Sequence, residues 1–198
     1  MNLSALKSPP FRSYVVSLHL ALNGFWAQRV IIGWLAWEMT GSAGFVGLVA
    51  FLNFFPTLFV SPLFGVFADR IDVRKGSILS YALAGILSAL FAGLCIFGSP
   101  TPVLLALFSF VTGVISSANH PMRMSLTPRL APAGDLPSVV AITSLNFNMS
   151  RLTGPAIGGI LIQTIGAPLA FAVTAVTYTA PVTAISVSYT HLTLPTIQ

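Results

Sequence analysis

Charge is nearly missing from this chain. Of its 198 residues, nine are Lys or Arg and four are Asp or Glu, 7% in all. Ordinary soluble domains carry roughly 25%. So few charges cannot cover a water-facing surface, and lipid is the solvent that fits the rest. Acids are the scarcer sign. Glu38, Asp69, Asp72 and Asp135 are the full set, each at the edge of an apolar run or between two of them. A Ser-His-Asp hydrolase is therefore not expected, and the lack of a buried acid or metal cluster weighs against an integral membrane enzyme. Cys95 is the only cysteine. It allows no internal disulfide and no cysteine-based metal site, and it reads as a small buried hydrophobe. No His/Glu pair has metal-ligand spacing, no Gly-rich phosphate loop with its Lys occurs, and no K+-filter-like sequence is present. No cofactor and no metal are expected. The basic residues are scattered between apolar runs rather than gathered on one face, so nucleic acid is not an expected partner.

What is present is oil. Hydrophobic residues make up 55% of the chain and the mean hydropathy is +0.89. A membrane helix needs about 20 apolar residues, and six such segments fit: 13–38, 45–68, 76–97, 102–120, 138–163 and 167–186. Thr40-Gly41-Ser42, Gly98-Ser99-Pro100 and Gly166-Ala167-Pro168 turn the chain between them, and a longer amphipathic connection covers 121–137. The expected fold class is all-α, a polytopic membrane protein of six transmembrane helices, with the lipid bilayer as its first partner. Lys7 and Arg12 precede the first segment, but that segment runs on too long for a cleavable signal and no small-residue cleavage site follows.

The cations fix an expected orientation. Lys7 and Arg12 precede segment one, Arg70, Arg74 and Lys75 lie between segments two and three, and Arg123 and Arg129 lie between four and five. The alternate connections hold no Lys or Arg. Cytoplasmic loops are the ones enriched in these residues, so both termini are expected inside after six crossings. Arg29 and Arg151 fall within segments one and five. A charge there is costly unless it faces protein or water, so both are expected to line a cavity.

Polar residues recur on single helix faces. His19, Asn23, Trp26, Gly33 and Trp37 follow one another at steps of three or four, with Arg29 beside them, and such residues share a face. Ser109, Thr112, Ser116, Asn119 and His120 repeat the pattern in segment four, and Ser144, Asn148 and Arg151 in segment five. His19, Asn23, Trp26, Arg29, Ser116, Asn119, Asn148 and Arg151 are thus candidate lining of a central cavity; interhelical hydrogen bonding without a path is the alternative, for the hydroxyls above all. Segment five also carries Ser150, Gly154 and Gly158 at four-residue steps, a smooth face for close helix approach. Pro155 beside them removes a backbone donor and bends the helix.

Between segments two and three stands Gly65-Val-Phe-Ala-Asp-Arg-Ile-Asp-Val-Arg-Lys75, a knot of charges between oily runs. With it the chain resembles the major facilitator superfamily, as the first six helices of a twelve-helix secondary transporter. That family's signature in this loop is Gly-x-x-x-Asp-Arg-x-Gly-Arg-Lys; Gly65, Asp69, Arg70, Arg74 and Lys75 match, while Asp72 and Val73 replace its Gly and Arg. Asp-Arg-x-Asp, together with Pro56, Pro121 and Arg151 before Gly154-Pro155, is similar to a bacterial branch that includes enterobactin and macrolide exporters. The stretch Gly154-Pro155-Ala156-Ile157-Gly158-Gly159 resembles the antiporter motif of drug exporters, with Ala141 and Ser150 in place of its earlier glycines. Ser109 stands where the fourth-helix motif has an arginine tied to proton coupling, which leaves Arg29 or Arg151, with His19, as substitutes.

The resemblance implies a function. The chain would be half of a proton-coupled exporter of a small organic solute such as a siderophore or drug, in a bacterial inner membrane. Gly65, Asp69, Arg70, Asp72, Arg74 and Lys75 would form a cytoplasmic gate, and the C-terminal six-helix half would be a missing partner. The alternatives are an importer of the same fold and a six-helix protein acting as a homodimer. After residue 186 the character changes. Val187-Ser-Tyr-Thr-His-Leu-Thr-Leu-Pro-Thr196 is polar and resembles a translated transposase sequencing adapter, so 187–198 are expected to be a non-native tail.

Overall fold

The computed structural model describes residues 4–68, 72–131 and 134–192. Among them no strand forms. The helices are α1 (Pro9–Thr40), α2 (Ala43–Ala68), α3 (Val73–Phe97), α4 (Pro102–Leu126), α5 (Leu136–Thr177) and α6 (Thr179–Leu192), with 3-10 turns at Ser4–Lys7 and Thr127–Leu130. Their ends follow local chemistry. Pro9 opens α1 where its missing N–H costs nothing. Gly41 closes it in the left-handed conformation (φ 59°), its N–H reaching the Trp37 carbonyl at 2.7 Å. Thr101 caps α4 through the Leu104 N–H at 3.3 Å. The side chain of Asp72 accepts from the Arg74 and Lys75 N–H groups at 3.0 and 3.4 Å and caps α3, the job for which a short acid at a helix start is suited.

Five helical stretches among the described residues are long and apolar enough to cross a bilayer. Their outward faces carry Phe51, Leu58, Phe59 and Leu63 of α2 and Leu83, Ile86 and Leu90 of α3, all exposed. A continuous apolar exterior of this kind belongs against lipid rather than water.

The sequence expects two segments, 138–163 and 167–186, where the structure has one apolar stretch, Leu136–Val187, of 52 residues. As a single rod it would reach roughly 78 Å at 1.5 Å per residue. It is broken at Gly166, whose φ of 78° and ψ of 162° no helix contains. The two sides of that break both lie against the middle of α1. A Cβ placed on Gly154 would meet Trp26 and Asn23, and one on Gly158 would meet Ala27. A Cβ on Gly24 would meet Thr177 and Thr174. Residues 154 and 174–177 thus stand at the same height along α1, so the chain folds back at Gly166.

Two further differences concern helix ends. The fourth segment is expected to stop at His120, but α4 runs through Pro121 to Leu126. A proline removes only one donor from the ladder, and membrane helices tolerate it where neighbours satisfy the freed group. The extension carries Arg123 out of the expected connecting segment and into the bundle, where it is 7% exposed. Helix α6 continues to Leu192, past the expected domain boundary at 186; residues 193–198 lie outside the described residues.

Packing is concentrated in two apolar clusters at opposite ends of the bundle. One joins Phe11, Tyr14, Leu18, Val73, Leu126 and Ile185 among others. The other joins Ile31, Leu35, Val49, Leu105, Ala170 and Phe171 among others. In the second, Phe91 stacks on Phe108 at 4.3 Å and Phe171 meets both rings edge-on at 5.2 and 5.6 Å. That geometry adds to the burial of three large rings and ties α3, α4 and the second limb of α5 together. Polar side chains occupy the level between the clusters.

Candidate functional site

The seam between α1 and α5 is held by amide and hydroxyl groups. His19 Nδ1 lies 2.6 Å from Asn146 Oδ1 and 3.0 Å from Ser150 Oγ. Asn146 Nδ2 donates to the Val15 carbonyl at 3.1 Å. Asn23 Nδ2 donates to the His19 carbonyl at 2.9 Å and to Ser150 Oγ at 3.3 Å, while its Oδ1 accepts from Thr153 Oγ1 at 2.6 Å. The seam closes tightly because Gly154 and Gly158 bring no side chain to it. A Cβ on Gly158 would stand 2.8 Å from the Ala27 carbonyl oxygen.

Across α1, α2 and α4 the centre is Arg29. Its Nε and Nη2 donate to Asn53 Oδ1 at 3.1 and 2.7 Å. Asn53 Nδ2 donates in turn to the Ser109 carbonyl at 3.1 Å and Thr112 Oγ1 at 3.0 Å. The guanidinium also sits 4.0 Å from the Phe54 ring centre and 5.1 and 5.3 Å from those of Phe25 and Trp26. Amide dipole and ring faces together hold a charge in an oily setting where no carboxylate does. Toward α3 and α6, Gln28 Nε2 donates to Ser88 Oγ at 2.9 Å and Gln28 Oε1 accepts from the Tyr178 hydroxyl at 2.9 Å. Asn119 Nδ2 reaches Ser80 Oγ at 2.8 Å.

Four adjoining cavities thread this level. One of about 180 Å³ is lined by His120, Arg123, Thr143, Phe147 and Asn148. It shares His120, Arg123 and Phe147 with a second of about 100 Å³ that reaches Tyr81, Ser116, Asn119 and Tyr178. A third of about 20 Å³ carries on to Gln28, Arg29 and Asn53. A fourth of about 260 Å³, between Arg29, Asn53, Gly33 and Val46, ends the series. The series of separate cavities, called the path below, runs along α1 from the C-terminal end of α4 to the start of α2. A larger hollow of about 630 Å³ between α3, the second limb of α5 and α6 is lined mainly by Ala, Gly, Val and Ile, with Tyr81, Tyr178, Thr179 and Thr183, and opens outward; it holds no charged or amide side chain.

The candidate lining residues divide. Arg29, Ser116, Asn119 and Asn148 line the path. His19 and Asn23 are engaged in the α1–α5 seam instead. Trp26 packs edge-on to Phe147 at 5.9 Å with its indole N–H buried and without a partner. Arg151 stands on the exposed face of α5, 5.8 Å from the Trp26 ring. In the small-residue stripe Ser150, Gly154 and Gly158 are buried against α1. Pro155 is half-buried, and a Cβ on Gly159 would meet nothing within 4 Å. Gln28, Asn53, Tyr81, Arg123 and Tyr178 were not expected at the site. Asn53, a lone amide in the apolar run of α2, was the one signal the sequence offered.

The charge knot is only partly described. Gly65 lies in α2, and Asp69 and Arg70 fall outside the described residues. Asp72 caps α3, Lys75 is exposed, and Arg74 Nη2 donates to the Ser186 carbonyl at 3.2 Å, pinning the start of α3 to α6.

Comparison with known proteins settles the kinship. The family model described as "Transmembrane secretion effector" matches residues 1–195. The chain belongs to this family of the major facilitator superfamily. The staphyloferrin A transporter of Staphylococcus aureus is 26% identical over 165 residues, covering 82% of this chain and 41% of that protein. The enterobactin exporter EntS of Escherichia coli O127:H6 is 31% identical over 183 residues, covering 84% and 40%. The multidrug efflux pump Tap of Mycobacterium tuberculosis is 27% identical over 188 residues, covering 91% and 44%. The chain thus spans about two fifths of the length of these curated relatives, which are named as transporters and not as enzymes. No solved structure gives a significant match. The helical, apolar-faced architecture of the described residues is consistent with that superfamily.

Proposed function

We propose that this chain forms the N-terminal half of a secondary transporter that exports a small organic solute across a bacterial inner membrane by alternating access, driven by protons. The observation that carries the reading is a series of cavities that reach buried cations and amides inside an apolar exterior. A protein that only filled the membrane would have no reason to keep Arg29, Asn53, Asn119 and Arg123 at cavities. In this reading the break at Gly166 separates two crossings, so the half has six, with both ends and all the cationic connections in the cytoplasm. Secondary transporters of this build bind solute near the midplane between two repeats. The exposed face of α5 with Asn148 and Arg151 then meets the second half, and the smooth Gly154–Gly158 seam is where α1 and α5 slide. His19, between Asn146 and Ser150, is the proposed proton carrier, and Gly65 with Asp69, Arg70, Asp72, Arg74 and Lys75 the cytoplasmic gate. Relatives named for siderophores and for drugs support a solute among such compounds.

The gate gives a direct test in the full-length transporter. Energised everted vesicles containing it are expected to accumulate ethidium or a siderophore-type substrate, and a protonophore to abolish this. Asp69→Asn should cut the rate at least about tenfold while membrane insertion stays at the wild-type level. Normal flux in that variant would remove the gate from the mechanism. Flux indifferent to the protonophore would remove the proton.

A further inference from the structure

The interior path has charge of one sign only. Arg123 is 7% exposed and lines two of the four cavities, and Arg29 lines the other two. Among the described residues no carboxylate pairs with Arg29, Arg123 or Arg151. Of the chain's four acids, Glu38, Asp72 and Asp135 lie among the described residues, all at helix ends. Glu38 is exposed near the end of α1, Asp72 and Asp135 precede α3 and α5, and Asp69 follows α2. Arg29 has its amide partner in Asn53, but the side chain of Arg123 has no hydrogen-bond partner among the described residues. The Phe147 ring lies 5.5 Å from it. A guanidinium withdrawn from water without a counter-charge is costly, and such groups in membrane segments mark ion or substrate pathways. Its place in the last turn of α4 recovers only a fraction through the helix dipole.

The walls between the cations are aromatic. Phe147 meets Trp26 at 5.9 Å, Trp26 lies 5.3 Å from Arg29, and Phe25 and Tyr81 complete the surface of the central cavity. A cationic solute would meet two guanidinium groups without a carboxylate partner along this path and nothing to compensate its own charge. A planar anion would supply the missing partner of Arg123 through two parallel N–H···O bonds, the geometry guanidinium favours, with its ring against Phe147.

We infer that the solute of this path is an organic anion carrying a carboxylate or an equivalent pair of acidic oxygens on an unsaturated frame, and that Arg123 is its first anchor. The inference rests on the transporter reading and narrows it, since the curated relatives include both siderophore and multidrug carriers.

The test is a binding measurement, which needs no flux and so is independent of whether transport is observed. The full-length transporter in nanodiscs is titrated by calorimetry with 2-naphthoate and with 2-naphthylmethylammonium, which share a ring system and differ in the sign of their charge. Empty nanodiscs supply the partition background. Naphthoate is expected to bind at least about tenfold tighter than the ammonium, and to weaken as sodium chloride rises. Arg123→Gln should weaken naphthoate at least about tenfold and Arg123→Lys by much less, with helical content and monodispersity unchanged. Equal affinity for the two probes, preference for the ammonium, binding of neither, or an Arg123→Gln transporter that folds and binds like wild type would each overturn the inference. Should that variant fail to fold, the probe ratio and its salt dependence in the wild-type transporter decide the matter alone.

Discussion

Gly113→Val is expected to leave little folded protein. At Gly113 the backbones of α2 and α4 touch. A Cβ there would collide with the carbonyl oxygen of Asn53, and its next neighbours are the Asn53 carbonyl carbon and Cα at 3.0 and 3.1 Å. These are backbone atoms that cannot swing aside, so the two helices must separate along a contact that is among the most extensive in the bundle. Overpacking typically costs about 1–3 kcal/mol, and this variant should reach at least about 3 kcal/mol because Asn53 and Thr112 lose their geometry with the contact. Gly159→Ala is the control. A Cβ at Gly159 meets nothing within 4 Å, and in a helix Ala is better than Gly by up to about 1 kcal/mol. Denaturant titration in detergent followed by circular dichroism should show Gly113→Val unfolded or strongly shifted and Gly159→Ala at or above wild type. A Gly113→Val chain of normal stability would mean that α2 and α4 do not pack as described.

Asn53→Leu should be the most damaging change at a polar residue. Asn53 is buried, takes both Arg29 donations and makes two of its own to α4. Leucine fills the space and leaves the guanidinium with ring faces alone. Hydrogen bonds to a charged group are worth about 1.5–3 kcal/mol, and a loss of about 3 kcal/mol is expected. Asn53→Asp keeps an acceptor and should retain most of the stability. In a double-mutant cycle with Arg29→Gln, the second change should cost much less in the Asn53→Leu background, a coupling of more than about 1 kcal/mol. Additive effects would show that the two side chains act independently.

The sequence made the helices easy to read and the neighbours hard. Apolar runs broken by Gly-Ser-Pro turns locate lipid-facing elements almost by composition. Periodicity then tells which residues share a face but not which helix that face meets. His19, Asn23 and Trp26 do share one. It faces α5 and closes with Asn146, Ser150 and Phe147, so the stripe that reads as a path is mainly a seam. Arg29, one step round the helix, reaches the cavities. Arg123 was obscured by Pro121, since a proline signals a helix end and here does not produce one. Asn53 and Gln28 were missed for a different reason. A single amide in an oily run gains meaning only from what stands opposite, Gly113 in one case and Ser88 with Tyr178 in the other. The stretch Gly154–Gly158 was legible as a close-approach face because small residues at four-residue steps have few other uses.

Everything proposed for the path depends on the chain reversing at Gly166 and keeping its cationic connections on one side. Single cysteines placed in a Cys95→Ala chain, labelled in intact cells and in everted vesicles with a membrane-impermeant maleimide, report this most directly. Positions 7, 75 and 129 should react only from the cytoplasmic side, and positions 42, 99 and 165 only from the opposite side. Reaction of position 165 from the same side as 75 and 129, or shielding of 165 from both sides, would make α5 a single crossing and contradict the account.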